Sequence, residues 1–159
     1  MSDYILGLRE VVGHRPLMQV GASVILLNGE NEVLLQRRSD NGMWAYHGGS
    51  VELDENVEDA ARRELFEETG LTAGKMTLLG VFSGADMHYV YPNGDEVSNV
   101  DVVFVCREYT GEMRMQESEV TQLCFFPLNR LPEEISPPNR KALTAFLDTQ
   151  KQTGGNRHE

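Results

Sequence analysis

The chain has 159 residues, 40% of them hydrophobic, which is enough for one buried core and too few for two ordinary domains. Its 25 acidic residues exceed its 14 lysines and arginines, and the net charge of -11 disfavours non-specific binding to nucleic acid. No apolar run has the length of a membrane span and the first residues lack the pattern of a signal peptide, so we expect a cytoplasmic protein that does not bind membranes.

The first part of the chain predicts strands on either side of a turn. An apolar run at residues 20–27 ends at Asn28-Gly29, a strong turn signal, and residues 32–38 resume as a strand. We expect these two strands to pair as a hairpin. A short aromatic stretch at residues 43–46 then leads into Gly48-Gly49.

A helix is predicted after the two glycines. Apolar residues recur there at helical spacing, namely Val57, Ala60, Ala61 and Leu65. Either Asn56 or Asp54 caps the start of the helix, and Gly70 is a natural stop at its C-terminal end.

The rest of the chain predicts strands at residues 75–83, 97–109 and 119–126, a turn at Pro92-Asn93-Gly94-Asp95, and a helix at residues 137–150. Residues 153–159 are polar and contain glycine, which is typical of a disordered tail. This order of elements lacks regular strand-helix-strand repetition. The sequence therefore predicts an α/β fold with a mixed β-sheet in a single domain, residues 1–152.

The two cysteines, Cys106 and Cys124, both lie in apolar runs. The sequence has no cysteine pattern typical of a metal site, so we expect two free, buried thiols in a reducing compartment.

Three carboxylates crowd the C-terminal half of the central helix. Glu64 lies four residues before Glu68 and three before Glu67, so all three share one face. Like charges at these spacings cost roughly 0.2 to 0.5 kcal/mol per pair, and the helix dipole also opposes anions in the last turn. A solvated acidic face is the alternative interpretation, but it does not explain the preceding Gly48-Gly49 or the adjacent Arg63. Hard oxygen ligands without cysteine or paired histidine indicate Mg²⁺ or Mn²⁺.

The same segment resembles the signature of the Nudix hydrolases (MutT-like proteins) at every specified position: Gly49, Glu55, Arg63-Glu64-Leu65, Glu67-Glu68 and Gly70-Leu71. The resemblance implies a Nudix-type α/β/α sandwich in which this helix packs against the sheet. It also implies that the metal is held by Glu64, Glu67, Glu68 and the Gly48 carbonyl, with Arg63 and Glu55 as orienting partners.

Many relatives also place a carboxylate in a loop before a late strand. Glu117 and Glu119 precede the strand predicted at residues 119–126, and we prefer Glu117 because it lies farther from that strand. Surface charge is the alternative for either one. The expected catalytic residues are therefore Glu64, Arg63 and Glu117, with Glu64 or Glu117 taking the proton of the attacking water.

Substrate contacts are expected at three places. Arg37 and Arg38 close the second strand, and one of them should face the cleft, with Arg37 as first choice. His47 stands where the family commonly has proline; it is placed to contact a phosphate or base, and a simple loop histidine is the alternative. Tyr89 lies where dinucleoside-polyphosphate hydrolases of this family often carry a tyrosine.

The resemblance implies Mg²⁺-dependent hydrolysis of a pyrophosphate bond in a nucleoside diphosphate linked to another moiety, such as a nucleoside triphosphate, a dinucleoside polyphosphate or a nucleotide sugar. The alternatives are a nucleotide-binding sensor or regulatory domain without turnover, and a purely structural protein. The intact carboxylates favour catalysis, and this acidic chain has no basic recognition helix for DNA. The expected partner is a small-molecule nucleotide, and a homodimer is the assembly that the resemblance suggests.

Overall fold

The structure is a computed structural model that describes residues 4–155, with only the backbone of residues 153–155. Its elements in chain order are α1 (Tyr4–Val12), β1 (Leu17–Leu26), β2 (Glu32–Arg38), β3 (Trp44–Ala45), β4 (His47–Ser50), α2 (Val57–Thr69), β5 (Thr72–Ala73), β6 (Met76–Phe82), a 3₁₀ helix (Ala85–Met87), β7 (His88–Val90), β8 (Glu96–Cys106), β9 (Tyr109–Thr110), β10 (Val120–Pro127) and α3 (Pro137–Gly155).

The strands form two main sheets. The larger sheet has the order β4-β1-β8-β6, with β7 also paired to β8, and it is mixed because β1 runs parallel to β8 while its other pairs are antiparallel. The smaller sheet is antiparallel and has the order β10-β2-β3. The mixed sheet predicted from the order of elements is confirmed.

The predicted hairpin between β1 and β2 is wrong, because the two strands belong to different sheets. The turn at Asn28-Gly29 forms as expected, with the Asn28 amide donating to the Glu32 carbonyl, but it closes only one bridge, between Leu27 and Val33. The second half of β1 and the middle of β2 are buried on both of their faces. Each therefore forms the middle of its own sheet, with neighbours on both edges, and the strands diverge after the turn.

Alternate residues of β1 and β2 face two separate cores. The first core packs β1 against α2 and contains Ala22, Val24, Leu26, Ala60, Ala61 and Leu65. The second core packs the opposite strand faces against α3 and contains Ile25, Leu27, Val33, Leu35, Leu143 and Phe146. Helices thus cover both sides of the sheets, which confirms the α/β/α sandwich.

The ends of α2 are set by its own sequence. The Asn56 side chain accepts a hydrogen bond from the Glu58 amide at 3.0 Å, so Asn56 is the cap rather than Asp54, which adopts a left-handed φ of 63°. Gly70 ends the helix with a φ of 76° and its amide donates to the Phe66 carbonyl. The predicted helix and its stop are confirmed.

The C-terminal helix continues beyond the predicted end at Gln150 as far as Gly155. The first three residues of the predicted tail are therefore helical, and residues 156–159 lie outside the described residues. Cys106 and Cys124 are free, as expected, but only Cys106 is buried, and Cys124 is exposed on β10, an edge strand of the smaller sheet. Within residues 4–155 no helix is both long and apolar enough to cross a membrane.

Candidate active site

The three carboxylates of α2 line one cleft with a volume of about 520 Å³. The cleft is bounded by α2, β4, the β7-β8 hairpin and α1; its wall includes Ile5, Leu6, Arg9, Arg38, Gly48, Gly49, Glu64, Glu67, Glu68, Tyr91, Asp95 and Glu119. Nothing in the sequence predicts α1, because this nine-residue helix buries no side chain and has no acidic residue in its first turn.

Gly48 and Gly49 allow α2 and β1 to approach β4 closely. A Cβ atom at Gly49 would lie 2.5 Å from the Glu64 carboxyl carbon, and one at Gly48 would lie 2.7 Å from the Ala22 carbonyl oxygen and overlap Ser23 Oγ. The first glycine therefore fits β4 against β1, and the second makes room for the Glu64 carboxylate.

Alanine at these two glycines should separate folding from site geometry. We expect Gly48→Ala to lower the free energy of unfolding by about 1–3 kcal/mol, because it collides with backbone in the core. Gly49→Ala should fold normally, because its Cβ meets only the end of a flexible side chain, yet it should lower turnover by about 10²-fold by displacing Glu64. Urea unfolding and steady-state kinetics on both variants measure this contrast, and equal loss of stability in both would contradict it.

Arg63 organises the acidic end of the cleft. Its guanidinium donates to both carboxylate oxygens of Glu55, at 2.8 and 2.9 Å, and to the Ser50 carbonyl at 3.1 Å. The remaining nitrogen contacts Glu64 at 2.9 Å and Glu67 at 3.5 Å. The hydrogen bonds from Arg63 lower the pKa of Glu55 below its ordinary value. Arg63 and Glu55 thus form a bidentate pair that places one cation beside two of the three carboxylates.

Glu64 is a carboxyl whose pKa lies well above its ordinary value. Burial raises its pKa to about 7, the negative charge of Glu68 acts in the same direction, and Arg63 only partly opposes them. A carboxyl that titrates near neutral pH suits proton transfer.

The raised pKa of Glu64 predicts a pH-dependent stability. Between its ordinary value of 4.5 and about 7, the folded state binds more protons at Glu64 than the unfolded state does. The contribution of Glu64 to the free energy of unfolding is therefore greatest at low pH and is lost as pH rises through this interval. In EDTA, wild type should lose stability relative to Glu64→Gln between these pH values. Urea unfolding at several pH values tests this, and parallel curves for the two proteins would contradict it.

Glu68 lies deeper than the other two carboxylates and is 7% exposed. Its Oε2 accepts from Gln36 Nε2 and from His47 Nδ1, both at 3.1 Å. Burial raises the pKa of Glu68, while the hydrogen bond from His47 lowers it.

The donor set fits a hard divalent cation by its chemistry. Three carboxylates line one cleft, and the charge of Glu68 raises the pKa of Glu64, which a bound cation would reverse. In the part of the chain that the structure describes, no three His, Cys, Asp or Glu side chains converge on one point as ligands. Glu64 and Glu67 instead contact Arg63, and Glu68 contacts Gln36 and His47.

The cation of β2 that faces the cleft is Arg38, so the first choice of Arg37 is wrong. Arg38 lines the cleft and pairs with Asp40 at 2.6 Å. Arg37 lies on the opposite face of β2, where it donates to the Gly42 carbonyl and its guanidinium carbon lies 6.0 Å from the centre of the Trp44 ring. Side chains alternate along a strand, so Arg37 shares its face with Val33 and Leu35, which pack toward α3.

The loop carboxylate that lines the cleft is Glu119, and the preference for Glu117 is not supported by its position. Glu117 is exposed and does not contribute to the cleft wall. Glu119 directly precedes β10, and its carbonyl accepts a hydrogen bond from the Ser39 amide at 3.0 Å. This contact holds Glu119 beside the end of β2, where Arg38 also lies.

His47 and Tyr89 occupy different environments. His47 has no exposed surface, so it is a buried partner of Glu68 and its predicted contact with substrate is wrong. Tyr89 is half-buried and lines a smaller cavity of about 100 Å³ beside Gly48 and Gly49, where its hydroxyl accepts from Asn41 at 2.9 Å. Its contact with substrate stays a prediction.

The sequence analysis did not single out Asp101, a buried acid on β8 that lines the same small cavity as Gly48 and Gly49. Its two oxygens accept hydrogen bonds from the hydroxyls of Ser23 at 2.7 Å and Tyr46 at 2.8 Å. Burial raises the pKa of Asp101. The available signal was an acid within the long apolar strand β8, where an unpaired carboxylate would be costly.

Comparison with known structures gives the class of protein. The MutT NUDIX hydrolase from Burkholderia pseudomallei has the same architecture, with a TM-score of 0.68 and 30% sequence identity over 82% of this chain and 98% of that one. The NUDIX domain family matches residues 17–146, and the chain belongs to the Nudix family, as its signature predicted.

Two relatives extend this result. The ADP-ribose pyrophosphatase of Methanocaldococcus jannaschii is 37% identical over 136 residues, which is 83% of this chain and 76% of that protein. A MutT-like protein of Streptomyces ambofaciens is 31% identical over 121 residues, or 76% of this chain and 69% of its own. The chain is therefore an enzyme, a pyrophosphohydrolase of nucleoside diphosphate derivatives.

Proposed function

We propose that the protein hydrolyses the pyrophosphate bond of a nucleoside diphosphate linked to another moiety, in the acidic cleft and with Mg²⁺ or Mn²⁺ as cofactor. The observation that carries this proposal is that Glu64, Glu67 and Glu68 line one cleft of about 520 Å³, with Gly49 fitted against the Glu64 carboxylate. The cleft is large enough for a small-molecule nucleotide.

The residues that would hold the metal are Glu64, Glu67, Glu68 and the Gly48 carbonyl. When bound, such a cation polarises the phosphoryl oxygens and lowers the pKa of the attacking water. Arg63 positions the carboxylates, since it contacts both Glu64 and Glu67. Arg38 supplies positive charge for the phosphates in the same cleft, where its pairing with Asp40 fixes the guanidinium.

Glu64 is the favoured proton acceptor, because its carboxylate lines the cleft against Gly49 and can accept a proton from a water bound there. Glu119 is the alternative acceptor from the loop, since it lines the same cleft. In either case the carboxylate must lie within hydrogen-bond reach of the water that attacks phosphorus.

A nucleoside diphosphate joined to a sugar is the first substrate to test. The support is the name of the Methanocaldococcus jannaschii relative, an ADP-ribose pyrophosphatase that is 37% identical to this chain. Dinucleoside polyphosphates are the second candidate, because Tyr89 lines the small cavity beside Gly48 and Gly49.

A product-release screen tests the proposed reaction. ADP-ribose, nucleotide sugars, dinucleoside polyphosphates and nucleoside triphosphates are each incubated with the full chain and with Mg²⁺ or Mn²⁺. Hydrolysis of at least one compound at its pyrophosphate bond, with turnover lost in Glu64→Gln, is the expected result. Binding of a nucleotide without any turnover would instead identify a sensor.

The domain organisation, the assembly and the compartment of the enzyme are also proposed, from the resemblance and the composition. Residues 1–152 form one domain, the assembly is a homodimer, and the compartment is the cytoplasm. Light scattering on the purified chain tests the homodimer, and a monomer at all concentrations would contradict it.

A further inference from the structure

We propose that His47 and Gln36 are positioning residues that fix the Glu68 carboxylate for metal binding. This inference rests on the proposed function, because it assumes that Glu68 is a metal ligand. It assigns a role to two buried side chains.

The two donors reach one carboxylate oxygen from different sheets. Gln36 lies on β2 of the smaller sheet and His47 on β4 of the larger one, and each places a nitrogen 3.1 Å from Glu68 Oε2. The oxygens of an ionised carboxylate only accept, so the imidazole carries its proton on Nδ1 when Glu68 is ionised. Two donors from different sheets restrict the rotation of the Glu68 carboxyl group, whereas the hydrogen bonds to Glu64 and Glu67 come from the flexible side chain of Arg63.

Each donor keeps an unpaired polar atom to make this contact. Gln36 Oε1 and His47 Nε2 are buried and have no hydrogen-bond partner among the described residues. Native proteins contain few such groups, because burying an unpaired polar atom opposes folding. Apolar side chains at both positions would remove the two unpaired atoms, so packing alone does not account for Gln36 and His47. Their remaining contact is Glu68, and holding Glu68 explains both.

The test measures Mn²⁺ binding to the full chain by calorimetry without substrate, so that it does not depend on turnover. We expect His47→Ala and Gln36→Met to weaken binding about 10- to 100-fold, the range typical of lost partners of metal ligands. His47→Asn should bind nearly as wild type, because its amide nitrogen is as many bonds from Cα as Nδ1 is. His88→Ala is the matched control, since His88 is an exposed histidine paired with Glu96. Melting curves of the metal-free proteins show which variants fold. If His47→Ala does not fold, Gln36→Met still tests the inference.

The same measurements in a Glu68→Gln background separate positioning from general loosening. If His47 and Gln36 act through Glu68, their replacement should have little further effect once that carboxylate is gone. An equal weakening in both backgrounds would overturn the inference. So would wild-type binding by His47→Ala and Gln36→Met while Glu68→Gln binds weakly. Wild-type binding by Glu68→Gln would instead overturn the metal role of Glu68 in the proposed function.

Discussion

Glu64→Gln is expected to lower kcat by about 10²-fold or more while the protein remains folded. Glutamine keeps the shape and helix propensity of the side chain, but it carries no charge and cannot take a proton. In the metal-free protein the substitution removes a carboxyl that burial and Glu68 already disfavour as an anion. The melting temperature without metal should therefore stay level or rise slightly, while the stabilisation by Mg²⁺ shrinks.

Glu58→Gln is the matched control for this result. Glu58 lies on the same helix, outside the cleft wall, in a solvent-exposed pair with Arg62 at 3.2 Å. Such a pair contributes about 0.3–0.5 kcal/mol to the free energy of unfolding, so the variant should fold. Its kcat should not change, because Glu58 does not line the cleft. Unfolding of Glu64→Gln, or turnover within about threefold of wild type, would mean that Glu64 is not at the centre of the reaction.

Removal of divalent cations should abolish turnover. Glu64, Glu67 and Glu68 give the cleft a negative wall that repels a phosphate unless a cation lies between them. Excess EDTA should bring hydrolysis to background, and Mg²⁺ or Mn²⁺ added beyond the chelator should restore it. The same addition should raise the melting temperature, because the ion binds the folded state.

EDTA that has been saturated with Mg²⁺ before use controls for effects of the chelator itself. This mixture should leave the rate unchanged. Hydrolysis at the full rate in excess free EDTA would show that the carboxylates act without a metal, and the cofactor assignment would then fail.

The features that the sequence predicted well are those determined within a few residues of each other. The Gly70 stop follows from glycine's conformational freedom, and the shared face of Glu64, Glu67 and Glu68 follows from helical spacing. Asn56 is one of the two caps, with Asp54, that the sequence left open. The mixed sheet was also predictable, because the order of strands and helices excludes regular repetition.

The errors concern strand pairing and the packing of strand faces, which depend on distant parts of the chain. Each strand of the predicted β1-β2 hairpin pairs with other strands instead, and the helices packed on the two faces of β2 decide that Arg38 rather than Arg37 lines the cleft. The choice between Glu117 and Glu119 depended on a backbone contact to Ser39 that no local pattern encodes. The burial of His47 depended on Glu68, which lies 21 residues later in the chain.

The position of α1 has a practical consequence for protein production. Ile5 and Leu6 form part of the cleft wall, and the Tyr4 amide donates to Glu52, so a purification tag on the N-terminal side of α1 is joined to an element of the active site. The histidines of such a tag are themselves metal ligands and would compete for the metal. The far end of α3, where Gln150 contacts Arg107, lies away from the cleft. A C-terminal tag is accordingly the better choice for kinetic work.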